Sequence, residues 1–121
     1  MKKTILITGA GTGIGKDAAF ALALRGHRIL ATTQSEVQSD ALMAEASHRN
    51  IVLEIFKLDI TQEADRESIS AYPIDVLINN AGMGESGSLA EVDMQRVRQI
   101  FEVNLFSTLA LTQVALRGMI A

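Results

Sequence analysis

The chain has 121 residues, 48% of them hydrophobic, a formal net charge of -3 and an isoelectric point of about 5.3. That length allows one domain or part of one, with enough apolar content for a core, and the mild acidity without a basic stripe argues against nucleic acid as a partner. The absence of cysteine excludes disulfides and thiolate metal sites and suits a reducing, cytoplasmic compartment.

The opening Met1-Lys2-Lys3-Thr4 imitates a secretory leader, but the apolar run behind it is only Ile5-Leu6-Ile7. A leader needs about 7–15 apolar residues there. Thr4 to Thr8 therefore reads as a β-branched strand, and no stretch is expected to be long enough to cross a membrane. Gly9-Ala10-Gly11-Thr12-Gly13-Ile14-Gly15 follows as a glycine-rich turn, and Ile14 to about Arg25 reads as a helix closed by Gly26. Strand, glycine-rich turn and helix in that order build a phosphate site: backbone N–H groups approach the ligand closely and the helix N-terminus adds partial positive charge.

The spacing of the glycines narrows the ligand. G-x-G-x-x-G fails, because its third glycine falls on Ile14. The nucleotide-triphosphate pattern G-x-x-x-x-G-K-[ST] fails at Ala10 and at Asp17. What remains is T-G-x-x-x-G-I-G, from Thr8 to Gly15.

Arg28 to Thr33 reads as the second strand. Ser35 with Gln38 makes a capping box for a helix running to about His48. Ile51 to Leu58 reads as a third, mostly apolar strand, as in a sheet covered on both faces. Asp59 then sits at its carboxyl end, where α/β sheets bind ligands; its plain alternative is a turn before a helix capped by Thr61. A polar helix closes at Tyr72-Pro73, and Ile74 to Ile78 forms the fourth strand, followed at once by Asn79-Asn80-Ala81-Gly82. Ser88 with Glu91 predicts a short helix, and Asp93 caps a long one that continues to the chain end. His27 and His48, the only imidazoles, each stand alone near a helix end, so no metal is expected. Strands alternating with helices imply an α/β fold: a doubly wound parallel sheet with right-handed crossovers, in order 3-2-1-4.

The long helix carries two apolar stripes, Val97, Phe101, Leu105 and Leu109, and Val103, Phe106, Ala110 and Val114. One side is expected to cover the sheet. The other either packs within the chain or meets a second copy, giving a homo-oligomer.

Thr8 to Gly15, Leu58-Asp59-Ile60-Thr61, Asn79-Asn80-Ala81-Gly82 and Val103-Asn104 together resemble the short-chain dehydrogenase/reductase family. The resemblance extends over essentially the whole chain. It implies a Rossmann-type NAD(P)-binding domain over 1–121 and hydride transfer between a nicotinamide cofactor and an alcohol or carbonyl substrate. It places Gly9, Gly13 and Gly15 at the diphosphate, Asp59 at the adenine amine and Ala81 and Gly82 beside the ribose, has Asn79 and Asn80 stabilise the central edge of the sheet, and adds Thr12, Ile14, Ile60 and Asn80 to the cofactor-binding set. Asn104 matches the residue that holds an active-site water linked to a catalytic lysine; Ser107 stands where the family often has glycine.

Cofactor choice normally lies just past the second strand, where an acid favours NAD and a base the NADP phosphate. Here the segment is Thr32-Thr33-Gln34-Ser35-Glu36, with no acid at the strand end and no arginine at Gln34. Thr33, Gln34 and Ser35 can hydrogen-bond a 2′-phosphate, while Glu36 suits the helix dipole. The segment leans to NADP over NAD.

The family's proton donor is a tyrosine whose pKa is lowered by a lysine four residues on, since a phenol with a pKa near 10 needs a close cation to work near neutrality. Tyr72 is the only tyrosine, Val76 stands four residues on, and the last lysine is Lys57. The chain is therefore expected to be the cofactor-binding half of such an enzyme, truncated at the end of the long helix and inactive alone. The rival expectation is a non-catalytic dinucleotide-binding or self-associating module, with the fourth strand's edge unpaired. Glu85, Ser86 and Ser88 are candidates for one edge of a substrate pocket.

Overall fold

The computed structural model describes residues 1–84 and 86–121. Four parallel strands, β1 (Thr4–Ile7), β2 (Arg28–Thr33), β3 (Glu54–Lys57) and β4 (Val76–Ile78), form one sheet in the order β3-β2-β1-β4. Leu6 of β1 registers with Leu30 of β2 and Leu77 of β4, so side chains of like parity form rows across the sheet. Both faces are covered. Ile5, Ile7, Ile29 and Ala31 pack with Ala19 and Phe20 of α1 (Gly13–Leu24) and Leu42 and Ala46 of α2 (Glu36–His48). Leu6 and Leu30 pack on the opposite side with Ile69, Ile74, Leu111, Val114 and Ala115. That double burial explains why the strands read as unbroken apolar runs.

Two helices end alike. Gly26, at φ 92°, follows α1; its N–H donates to Ala23 O at 3.0 Å and that of His27 to Leu22 O at 3.3 Å. Asn50, at φ 56°, follows α2; its N–H donates to Ser47 O at 3.1 Å and that of Ile51 to Ala46 O at 2.9 Å. Both are Schellman closures, which need one residue in the left-handed region.

Several local expectations are corrected. The third strand starts at Glu54 rather than Ile51, and the fourth at Val76 rather than Ile74. Ile74 still enters the core, and Asp75 pairs with Thr4 twice: its N–H donates to Thr4 O at 2.9 Å and its carboxylate accepts the Thr4 N–H at 2.8 Å. Gln38 does not close a capping box on Ser35; Ser35 Oγ accepts the Gln38 N–H at 3.3 Å, and Gln38 Oε1 accepts the Gln34 N–H at 3.1 Å instead. Gln62, not Thr61, precedes α3 (Glu63–Ser68), which tightens into a 3-10 turn over Ile69–Ala71. Ser88 and Glu91 form a turn and no helix: Ser88 O accepts from Glu91 N–H at 3.1 Å and Ser88 Oγ from Ala90 N–H at 3.3 Å.

The last helix begins at the Asp93 cap, whose Oδ1 accepts the Gln95 N–H at 2.9 Å. It runs as α4 (Met94–Phe101), a π-helical segment over Glu102–Ser107, and α5 (Thr108–Ile120). A π turn takes an extra residue and rotates the helix beyond it. The face on the sheet is accordingly Val103, Ser107, Leu111, Val114 and Ala115, whereas Phe106 is 58% exposed. Phe101, Leu105 and Leu109 of the other stripe are also exposed. Met94–Ile120, a helix of 27 residues with an 18-residue stretch of mean hydropathy 1.2, is by length and composition long and apolar enough to cross a membrane, contrary to the expectation from sequence. Its charged residues, Arg96, Arg98, Glu102 and Arg117, leave residues 103–116 interrupted only by uncharged Asn, Ser, Thr and Gln.

Candidate functional site

The carboxyl ends of the strands open onto a cleft of about 610 Å³. Its floor is the turn after β1, and three buried or close-packed groups hold that turn against β4. Thr8 Oγ1 accepts two N–H groups, from Asn80 at 3.1 Å and Ala81 at 2.9 Å. Asn80 Nδ2 donates back to Thr8 O at 3.1 Å and Gly9 O at 3.0 Å. Gly15 lies beneath this staple, where a Cβ would come within 2.5 Å of Gly9 O. Gly9, at φ 63°, has Ala81 Cα at 2.9 Å from where its Cβ would lie. Packing requires glycine at both positions, and at Gly9 the left-handed backbone requires it too.

Gly13 differs. It has φ 57° and open space where a Cβ would stand. It is the first residue of α1, whose N-cap, Thr12, makes no side-chain capping bond, and no acid stands in the first turn. The leading N–H groups of α1 thus face the cleft with neither a hydroxyl nor a carboxylate to satisfy them, as an anion site requires. Ile14, 83% exposed, forms an apolar wall beside them.

The opposite rim is the loop after β3. Asp59 Oδ1 accepts from Thr61 N–H at 3.0 Å and from Thr61 Oγ1 at 2.7 Å, and Ile60 and Thr61 line the cleft with it. Gln34 and Gln38 close the end nearest β2. Met83, Gln99 and Val103 close the other.

Of the residues singled out from sequence, Gly9, Thr12, Gly13, Ile14, Gln34, Asp59, Ile60, Asn80, Ala81 and Gly82 meet in this one cleft. Gly15 supports it from below. Thr33 does not reach it: its hydroxyl is buried, donates to Ser35 O at 2.8 Å and pairs with Ser39 Oγ at 2.6 Å, which removes it as a phosphate ligand. Asn104 stands behind the rim. Its Oδ1 accepts the Met83 N–H at 2.8 Å and its Nδ2 donates to Met83 O at 2.7 Å, so its amide holds the chain after Gly82 rather than facing the cleft. Asn79 Nδ2 donates to Thr112 Oγ1 at 3.0 Å, tying β4 to α5. Ser86 and Ser88 do not line the cleft, and Glu85 lies outside the described residues. Tyr72 stacks on Phe56 with ring centroids 5.3 Å apart, remote from the cleft. Gln38, missed as a cleft residue, is signalled by its place in the first turn of α2, three residues after the Ser35 cap.

A parallel sheet in the order β3-β2-β1-β4, with an uncapped helix N-terminus on one rim of its carboxyl-end cleft and a carboxylate on the other, defines the dinucleotide-binding class of α/β folds. Residues 3–121 match the short chain dehydrogenase family, and the chain belongs to it. It is 36% identical over 122 residues to the uncharacterized oxidoreductase YusZ of Bacillus subtilis (strain 168), covering 95% of this chain and 43% of that protein. It is 32% identical over 119 residues to L-xylulose reductase of Homo sapiens, covering 98% of this chain and 48% of that one. Among solved structures, the F189W actinorhodin polyketide ketoreductase with NADPH superposes with a TM-score of 0.88 at 26% identity, covering 97% of this chain and 47% of its own. The chain thus spans about half the length of the relatives it matches.

Proposed function

We propose that this chain is the cofactor-binding half of an NAD(P)-dependent oxidoreductase acting on an alcohol or carbonyl compound, with the remaining catalytic groups supplied outside these residues. The observation that carries the reading is the uncapped start of α1 at Gly13, set across the cleft from Asp59. A diphosphate fits the first, a purine amine the second, and Ile14 and Ile60 offer apolar walls between. When bound, the nicotinamide would supply or accept a hydride. The residues of this chain bind and orient: the α1 N-terminus holds the diphosphate, Asp59 accepts from the adenine amine, and Ala81 and Gly82 border the ribose. Asn104 fixes Met83 and so the rim beside Gly82.

Within this reading NADP is favoured over NAD. No carboxylate stands at the end of β2, and the amides of Gln34 and Gln38 line the cleft there. The relatives include a ketoreductase solved with NADPH, which agrees with this preference. The lack of cysteine supports a cytoplasmic setting. The long helix reads as the cover of a sheet rather than a membrane span, since Leu111, Val114 and Ala115 are buried against the strands.

Titration with NADPH and NADH tests the binding. Saturable binding of NADPH, tighter than NADH, is expected; no binding of either dinucleotide refutes the reading. Turnover should appear only when the tyrosine and lysine of the family are provided. The exposed row Phe101, Leu105, Phe106 and Leu109 favours a second element of the proposal, contact with another copy through this helix. Sedimentation as a monomer at high concentration would remove that element and leave the first.

A further inference from the structure

The loop bearing Asp59 is held by α3, the short polar helix after it. Asp65 Oδ2 accepts the Asp59 backbone N–H at 2.7 Å. The same oxygen lies 2.7 Å from Lys57 Nζ, on the last residue of β3. One residue further along α3, Arg66 Nη1 donates to Ile60 O at 2.8 Å. Asp59 Oδ1 is already engaged twice by Thr61. Both bonds to Thr61 use Oδ1, which among the described residues leaves Asp59 Oδ2 open to a ligand. Neither Lys57 nor Asp65 lines the cleft.

We infer that Asp65 is a positioning residue for base recognition: by fixing the backbone of Asp59 it aims Oδ2 at the exocyclic amine of an adenine. The inference rests on the proposed function, because it takes an adenine dinucleotide as the ligand. A carboxylate on a backbone N–H is a strong, short bond, and the Lys57 ammonium keeps Asp65 ionised for that task. Burial pushes the Asp65 carboxyl up; the Lys57 hydrogen bond, the Asp59 N–H and the Lys57 charge together outweigh it and hold it below the usual range. Without Asp65 the loop keeps its Thr61 turn but loses its tether to β3. Oδ2 is then free to swing off the line of the amine.

The test compares NADPH with its hypoxanthine analogue, in which the 6-amino group is replaced by oxygen. Hypoxanthine offers an acceptor to Asp59 where adenine offers a donor. The protein should bind NADPH about tenfold more tightly, about 1.4 kcal/mol. In D65A the two affinities should converge to within about twofold, mainly by loss at NADPH. In D65N, whose amide oxygen still accepts the Asp59 N–H, most of the preference should persist. Should D65A not fold, D65S serves in its place, since its hydroxyl falls short of the Asp59 N–H; equal preferences in D65S and D65N overturn the inference. A wild-type preference that D65A retains also overturns it. Equal wild-type binding of both dinucleotides overturns it while sparing the proposed function; no wild-type binding of either overturns both.

Discussion

Asn104 and the backbone of Met83 form a two-way pair, with Asn104 Oδ1 accepting at 2.8 Å and Nδ2 donating at 2.7 Å. The pair joins the π-helical segment to the strand-end loop, and a Cβ on Gly82 would stand 3.2 Å from the same Oδ1. Asn104→Ala removes both bonds. Because the groups are solvent-accessible, water compensates, and the expected loss of stability is about 1 kcal/mol. The sharper signature is local: hydrogen exchange at the Met83 amide should accelerate far more than in the sheet. Unchanged exchange there would show that the pair is not formed in solution.

Gly15 and Gly13 should respond to alanine for different reasons. At Gly15 the added methyl meets the Gly9 carbonyl and the Asn80 amide, neither free to retreat, because both belong to the staple between β1 and β4. Gly15→Ala should cost about 1–3 kcal/mol in urea unfolding. At Gly13 there is room but φ is 57°, so alanine incurs about 1–2 kcal/mol of backbone strain. Its methyl would also project into the space left for the diphosphate. Dinucleotide affinity should therefore fall more than stability in Gly13→Ala, and the reverse order of effects would show that Gly13 does not border the ligand.

The alternation of apolar strands with capped helices made the sheet order and most of the cleft legible in the sequence. The α1 turn was legible from its glycines after a strand, whereas Asp59 and Asn80 had strand-end positions that equally fit plain turns and drew their roles from the resemblance to the family. What escaped depended on competition for the same hydrogen-bonding group. Thr33 looked available at the end of β2, but Ser39, one helical turn into α2, takes its hydroxyl. Ser88 and Glu91 fit a capping pattern, yet no apolar periodicity follows to bury a helix there, and a turn suffices. The rotation of the last helix was hidden too, because a π turn leaves no mark in a periodicity counted at a fixed helical repeat.

Acid should destabilise the fold through two carboxylates. The Arg28 hydrogen bond, at 2.6 Å, holds Glu54 below its ordinary 4.5, and Lys57 with the Asp59 N–H holds Asp65 below its ordinary 3.8 against the opposing effect of burial. Both bind protons more weakly when folded than unfolded. Their contribution is therefore complete above the ordinary values and is lost as pH falls through the lowered ones. Urea midpoints should decline below about pH 4.5. Asp65→Asn should show a shallower decline than wild type, and an unchanged slope would mean that Asp65 is not paired in the folded state. The raised value of Lys57 acts at the other end, so its contribution fades only as pH rises above the ordinary lysine value of 10.5, and that of Arg28 persists further still.

Asn50 closes α2 in a left-handed conformation that Gly26 adopts after α1. Asparagine tolerates that region and glycine occupies it freely, whereas alanine does not. Asn50→Ala should lower stability by about 1 kcal/mol, and Asn50→Gly should leave it equal or slightly higher. Neither should alter dinucleotide binding, since Asn50 does not line the cleft. Thermal midpoints in the order glycine, asparagine, alanine would support the closure; alanine matching asparagine would refute it.

Gln38 offers a direct test of cofactor choice. Its Oε1 is taken by the Gln34 N–H at 3.1 Å, so the amide is oriented with Nε2 free to donate along the cleft rim near the end of β2. A ribose 2′-phosphate would accept from it. Gln38→Glu keeps the acceptor for Gln34 and replaces the donor with negative charge. Two charges at about 4–6 Å near a surface interact by about 1–4 kcal/mol. NADPH affinity should therefore fall at least fivefold, with NADH little changed and stability nearly so. The effect should shrink as salt is raised, because screening weakens the repulsion. Equal losses for the two dinucleotides would place the 2′-phosphate elsewhere and remove the basis for the NADP preference.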